Sequence, residues 1–152
     1  MAQKDLFKAC RDLVKGQHKV CGLTSSQDAL MVAECGASFG GLIFVESSKR
    51  YVSIEQAKSI IAETHKQTAL DFVAVVQNKP ISELLNLVSE VPVSAIQLHG
   101  NEDQNFVDEL AHKIKGLDRQ VEIWQVVSVK ESAGVPGQVT VFPKQHLTIL
   151  EM

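Results

Sequence analysis

The fold is decided by residues 39–66, FGGLIFVESSKRYVSIEQAKSIIAETHK, which contain one complete strand, loop and helix. Phe39 to Val45 is a mostly apolar run, which is typical of a strand that is buried on both faces. Glu46 to Val52 is a polar loop. Ser53 is followed three residues later by Gln56, the pattern of a capping box at the start of a helix. A buried strand followed directly by a helix predicts one β/α unit of a parallel sheet.

The same unit repeats on both sides of this stretch. The other predicted strands are His18–Leu23, Phe72–Val76, Val93–Leu98 and Val121–Val129. One further helix is predicted after the hydroxyls of residues 24–26, another begins at Ser82, and a third spans Glu102–Lys115. An additional helix at residues 5–15 precedes the first strand. Short strands that alternate with helices predict an α/β fold with a parallel sheet. Flavodoxin-like sheets and (β/α)8 barrels both fit this pattern, whereas the absence of Gly-x-Gly-x-x-Gly argues against a Rossmann dinucleotide site.

The alternation stops after Val129. Residues 130–138 hold two glycines and a proline and are predicted to be a loop. Val139–Phe142 is a possible short strand that Pro143 would end, and residues 145–152 show no clear period. We therefore predict about five β/α units.

Composition excludes several classes of protein. The chain has 152 residues, of which 45% are hydrophobic and 22% charged, so intrinsic disorder is not expected. A net charge of −3 argues against nucleic acid as a partner, and no apolar run is long enough to span a membrane. Residues 1–16 lack the apolar centre of a signal peptide. Three cysteines, an odd number without metal-ligand spacing, favour a cytoplasmic protein.

Three reactive side chains follow the predicted strands. Cys21 lies at the end of the first strand, Arg50 in the loop after the second, and His99 just after the fourth. Reactive groups of parallel α/β folds lie at this end of the strands. A thiol can act as a base or nucleophile, a guanidinium binds carboxylate or phosphate, and an imidazole positions protons. Taken singly, Cys21 could be a core residue, Arg50 a solvated charge and His99 a helix cap. No metal site is predicted.

Four motifs in this order resemble phosphoribosylanthranilate isomerase, the (β/α)8-barrel enzyme of tryptophan biosynthesis. They are KVCGLT at 19–24, GGLIFV at 40–45, SKRYV at 48–52 and QLHGNE at 97–102. In particular, the chain resembles the isomerase domain of bifunctional enzymes in which indole-3-glycerol-phosphate synthase comes first. The resemblance implies a linker helix from the synthase at 1–17, a partial (β/α)8 isomerase domain at 18–129, and a divergent tail at 130–152. This corresponds to an incomplete TIM barrel of about five of its eight units.

The resemblance also implies an activity. It is the Amadori rearrangement of N-(5′-phosphoribosyl)anthranilate to 1-(2-carboxyphenylamino)-1-deoxyribulose 5-phosphate, without a cofactor. Carried over to this sequence, Cys21 is the general base, Arg50 binds the anthranilate carboxylate, and His99 lines the substrate site. The expected partner is therefore a small phosphosugar, with no nucleic acid and no membrane.

The sequence departs from the family in three places. Lys49 stands where the family usually has proline, no aspartate follows Asp118 to serve as general acid, and no glycine follows Gly137 to form the phosphate loops. These departures imply a C-terminally truncated isomerase with weak activity. The alternative is a non-catalytic half-barrel association module or a gene fragment. An incomplete barrel would have two open sheet edges, with the apolar runs 72–76 and 93–98 near them, and could self-associate there.

Overall fold

The computed structural model describes residues 17–129, 137–141 and 147–151, with side chains over residues 19–125. The strands are β1 (Gln17–Cys21), β2 (Phe39–Ile43), β3 (Asp71–Val76), β4 (Ala95–Leu98), β5 (Glu122–Val129), β6 (Gly137–Val141) and β7 (Leu147–Glu151). The helices are α1 (Ser26–Glu34), α2 (Ile54–His65), α3 (Ile81–Glu90) and α4 (Gln104–Lys115). The helix predicted at residues 5–15 lies outside the described residues.

The first five strands form a parallel sheet in the order of the sequence. Each of β1 to β4 pairs in parallel with the next strand along the chain. A helix connects each consecutive pair of these strands. The predicted α/β fold with five parallel strands is thus confirmed, and the carboxyl ends of all five strands lie along one rim of the sheet.

Two further strands extend the sheet on its two sides. The strand order is β6-β5-β4-β3-β2-β1-β7, so β6 and β7 are the outermost described strands. β6 is antiparallel to β5, whereas β7 is parallel to β1 and pairs Glu151 with Cys21 in Cα register. The prediction that the apolar runs 72–76 and 93–98 lie near open edges is wrong. They form β3 and β4 in the middle of the sheet because the segments after Val129 supply the outer strands.

The helix starts follow the predicted capping chemistry with one exception. The Ser53 hydroxyl accepts a hydrogen bond from the Gln56 amide and the Gln56 side chain accepts one from Ser53, which confirms the capping box of α2. Helix α3 was predicted to begin at Ser82 but begins one residue earlier, after Pro80. Proline has its φ fixed near helical values and has no amide hydrogen to satisfy, so it can precede a helix without a side-chain cap.

The two faces of the sheet have different cores. The face covered by helices buries a large apolar cluster that includes Phe72, Leu84 and Leu110. On the opposite face a small cluster surrounds Trp124, whose ring meets that of Phe39 edge to face at a centroid distance of 5.1 Å. No helix among the described residues is both long and apolar enough to cross a membrane.

Candidate active site

A cavity of about 370 Å³ opens at the carboxyl ends of the first four strands. Cys21, Arg50 and His99 all line it, so the structure brings together the three candidate residues of the sequence. Its other lining residues are Gly22, Ile43, Val45, Ser47, Ser48, Val75, Gln77 and Gln97. This location matches the place where parallel α/β folds carry their reactive groups.

Cys21 is the last residue of β1 and is a free cysteine with 5% of its surface exposed. The following residue, Gly22, has a φ of +88°, which favours glycine because it has no Cβ. The amide of Gly22 donates to the carbonyl of Gly41 at 3.0 Å, which turns the chain away from the sheet directly after the thiol. Cys21 is therefore fixed at the base of the cavity by the end of its own strand.

Arg50 is held by a compact turn after β2. The Ser48 hydroxyl accepts a hydrogen bond from the Arg50 amide at 3.1 Å. The Ser48 amide donates to the carbonyl of Val45 at 2.9 Å, and the Ser48 carbonyl accepts from the Tyr51 amide at 3.2 Å. These three bonds shape the turn although position 49 is a lysine and not a proline. The side chain of Arg50 is half-buried at the cavity, where a guanidinium can bind a carboxylate through two hydrogen bonds.

His99 follows β4, and its amide donates to the carbonyl of Val76 at 2.9 Å. The next loop is anchored by Asn78, which has a φ of +52° and accepts a hydrogen bond from the Asn101 amide at 2.8 Å. A Cβ at Gly100 would lie 2.5 Å from the Asn78 amide oxygen, so a side chain there would displace the amide that anchors this loop. Nδ1 of His99 is buried without a hydrogen-bond partner among the described residues. Buried nitrogen atoms are rarely left in this state, and a bound ligand could satisfy it.

Two polar residues, one lining the cavity and one beneath it, were not among the predicted site residues. Lys19 is fully buried, and its ammonium donates hydrogen bonds to Sγ of Cys21 and to Oε1 of Gln97. Gln97 is 3% exposed. Side chains alternate between the faces of a strand, so Lys19 shares the face of Cys21, and Gln97 shares that of His99. This spacing of two residues from a predicted site residue is the sequence signal that could have identified Lys19 and Gln97.

Other parts of the described chain have less suitable chemistry. A second cavity of about 430 Å³ lies beside α3 and is lined by Phe44, Glu46, Tyr51, Ile54, Lys79, Ser82, Glu83, Asn86 and Leu87, without a thiol or an imidazole. No group of three or more His, Cys, Asp or Glu side chains in the described residues could hold a metal ion.

Sequence comparison identifies relatives of the chain. Residues 18–150 match the family described as N-(5′-phosphoribosyl)anthranilate (PRA) isomerase. Tryptophan biosynthesis protein TrpCF of Vibrio cholerae is 42% identical over 132 residues, which cover 87% of this chain and 27% of the relative. The TrpCF protein of Salmonella typhi is also 42% identical, with 87% and 28% covered. The chain thus spans about a quarter of the length of these relatives.

The solved structures that resemble this chain belong to the same family. Phosphoribosylanthranilate isomerase from Thermotoga maritima, in the form of monomers generated from a dimer, superposes with a TM-score of 0.66 at 31% identity. The superposition covers 78% of this chain and 56% of that one. A phosphoribosylanthranilate isomerase in complex with reduced 1-(o-carboxyphenylamino)-1-deoxyribulose 5-phosphate has a TM-score of 0.65 at 32% identity, with 76% and 55% covered. The five parallel strands therefore correspond to part of a TIM barrel.

Proposed function

Because this chain belongs to the family of N-(5′-phosphoribosyl)anthranilate isomerases, an enzyme family of tryptophan biosynthesis, we propose that its cavity binds the substrate of that family. The reaction would be the Amadori rearrangement of phosphoribosylanthranilate to 1-(2-carboxyphenylamino)-1-deoxyribulose 5-phosphate. The observation that carries the proposal is the meeting of Cys21, Arg50 and His99 in one cavity. The family and the odd number of cysteines favour a cytoplasmic location.

The roles proposed for the three residues are those that the family resemblance implies, and they fit the chemistry of the side chains. The thiolate of Cys21 takes a proton from the sugar carbon next to the iminium, so a C–H bond breaks and an S–H bond forms. The electron pair released from carbon moves toward the nitrogen and gives an enamine. Arg50 binds the anthranilate carboxylate, and Nδ1 of His99 is available to a polar group of the substrate. None of these steps needs a cofactor.

The first step of the reaction lacks an evident acid among the described residues. The sugar ring must open, with a proton delivered to the ring oxygen, to form the iminium from which Cys21 then takes a proton, and no described aspartate or glutamate lines the cavity. The sequence has no aspartate after Asp118 and no glycine after Gly137. We therefore propose that residues 18–129 contain the general base, Cys21, and the carboxylate-binding residue, Arg50. The predicted linker helix of residues 1–17 would end before Gln17, which already lies in β1, and residues 130–152 would be the divergent tail.

The first experiment is turnover of phosphoribosylanthranilate, followed by the loss of its fluorescence. We expect the 152-residue chain to react about 10²–10⁴-fold more slowly than an ordinary enzyme, because loss of general acid catalysis has this effect. A bifunctional relative assayed in parallel provides the reference rate. Turnover of about 1–10³ s⁻¹ by this chain alone would contradict the proposal, because such values are typical of complete enzymes.

A second candidate function is association through the sheet, which would make the chain a half-barrel module. The observation that favours it is the open order of the strands, in which β6 and β7 each have one described neighbour. Unpaired strand edges expose rows of amide and carbonyl groups that readily pair with another chain. The proposed partner is a second copy, joined edge to edge.

Size-exclusion chromatography with light scattering tests this association. We expect a dimer or larger species whose proportion rises with protein concentration, because pairing of edges is bimolecular. Thr140→Pro would remove one amide donor from β6, and Thr140→Val is the matched control that retains it. A stable monomer at all concentrations would exclude the association module.

A further inference from the structure

Lys19 is a buried lysine on the face of the sheet opposite the helices, which is the concave face of this part of a barrel. None of its surface is exposed, although lysine is almost never fully buried unless it is paired. An ammonium group removed from water is stabilised only by hydrogen-bond acceptors and negative charge. Its partners include the sulfur of Cys21 and the side-chain oxygen of Gln97, both of which line the cavity. The lysine is thus directly beneath the candidate base.

Gly41 makes room for this arrangement. It lies on β2 opposite Cys21 in the parallel register. A Cβ at position 41 would lie 2.8 Å from Sγ of Cys21 and 3.1 Å from Cε of Lys19. Any side chain there would therefore displace the thiol or the lysine. The glycine leaves a gap in the concave face, and the lysine side chain occupies it.

Gln97 fixes the far end of the lysine. It lies on β4, whereas Lys19 lies on β1, and β2 and β3 separate these two strands in the sheet. The Lys19 side chain therefore crosses the concave face and joins the strand that ends in Cys21 to the strand that precedes His99. An amide oxygen accepts hydrogen bonds and cannot take a proton at neutral pH, so Gln97 orients the ammonium without neutralising it.

We propose that Lys19 is a positioning residue that holds Cys21 as a hydrogen-bonded thiolate, with Gln97 orienting its ammonium. The inference rests on the proposed role of Cys21 as general base and extends it to a group that does not touch substrate. Lys19 keeps its protons throughout, and the proton from the substrate carbon goes to sulfur. A neighbouring cation favours the thiolate, which is the form of cysteine that can accept a proton.

The test is the rate at which iodoacetamide alkylates Cys21, measured by peptide mass spectrometry on the folded 152-residue chain. In Lys19→Met, which retains the length of the apolar stem, we expect a rate about tenfold lower near pH 7. The ratio of the alkylation rates of the wild type and Lys19→Met should approach one as the pH rises toward about 9.5, where thiols ionise without a neighbouring cation. An effect on access to the cavity would instead slow the reaction equally at every pH.

Two further variants complete the experiment. Lys79→Met removes a lysine that pairs with Glu83 beside the other cavity. In this variant Cys21 should be alkylated at the wild-type rate. Gln97→Met leaves the ammonium in place without its acceptor and should slow alkylation about two- to tenfold near pH 7. Equal rates in wild type and folded Lys19→Met, or equal slowing at every pH, would overturn the proposal. If Lys19→Met does not fold, an unchanged rate in Gln97→Met would overturn it.

Alkylation needs no substrate, so this outcome is separate from that of the isomerase assay. A chain that fails to convert phosphoribosylanthranilate but shows the expected pH-dependent difference would contradict the proposed reaction and support the lysine–thiolate pair. A chain that converts substrate but shows no difference would support the reaction and exclude the role of Lys19.

Discussion

Cys21→Ser is expected to lower the rate of phosphoribosylanthranilate isomerisation by about 10²–10⁴-fold relative to the unsubstituted chain. Serine retains the shape of cysteine and the hydrogen bond to Lys19, but its hydroxyl is far less acidic than a thiol and forms almost no anion near neutral pH. The measurement is single-turnover loss of substrate fluorescence with protein in excess, which makes a slow reaction visible above the protein-free blank.

Cys35→Ser is the matched control for this substitution. Cys35 is half-buried at the end of α1, which is the end opposite the carboxyl rim of the strands, and it does not line the cavity. It is disulfide-bonded in the structure, so it becomes a free thiol comparable with Cys21 only after reduction. With a thiol reductant present in all samples, this variant should react at the rate of the unsubstituted chain. A Cys21→Ser protein that retains more than about a tenth of the rate would exclude Cys21 as the general base.

Phe72→Ala is expected to lower the free energy of unfolding by about 3–5 kcal/mol. Phe72 lies on β3 with 1% of its surface exposed, and its ring packs against the ring of His65 at a centroid distance of 5.7 Å. A Cβ at Gly40 would lie 3.4 Å from the same phenyl ring, so the neighbouring strand is already in contact with it. Removal of the ring leaves a cavity that the parallel strands cannot close. Urea denaturation at one fixed protein concentration measures the change.

Phe72→Leu is the control, because it retains most of the buried apolar volume. We expect it to lower the free energy of unfolding by less than about 1.5 kcal/mol. Since whole domains are stable by only about 5–15 kcal/mol, the alanine variant should be close to unfolding at room temperature. A loss below about 1 kcal/mol in Phe72→Ala would show that β3 does not form the centre of the core.

The sequence predicts the elements of this fold well because their signals are local. An apolar run of about five residues identifies β3 to within one residue, and the hydroxyl of Ser53 with Gln56 three residues later identifies the start of α2. The position of Cys21 at the end of a strand also follows from its immediate neighbours. Each of these patterns lies within a few residues, where spacing alone determines which side chains can meet.

The sequence does not predict features that depend on residues from separate strands. The burial of Lys19 needs the gap at Gly41 and the acceptor at Gln97, which lie on β2 and β4. A lysine in a strand is usually exposed, so nothing in its own neighbourhood indicates burial. The clearance that Gly41 gives to the thiol depends on the register of β1 and β2, which the residues around Gly41 do not indicate.

The last strand was missed for a related reason, whereas β6 was predicted in part as the short strand Val139–Phe142. Residues 145–152 have no clear period, yet β7 pairs with β1 over five residues. Strand pairing supplies backbone hydrogen bonds that any sequence can make, so the local pattern carries little information about it. The proline at position 143 and the glycine at 137 mark the limits of β6 better than its composition does.

The pairing of β1 with β7 has a consequence for how the protein is made. The first described strand and the last are neighbours in the sheet, although residues 22–146 separate them in the sequence. During synthesis the outer edge of β1 therefore stays unpaired until residues 147–151 have left the ribosome. Contacts of such large sequence separation form slowly, and strand edges left exposed in the meantime favour aggregation. Expression of this protein should therefore depend strongly on chaperones and on growth temperature.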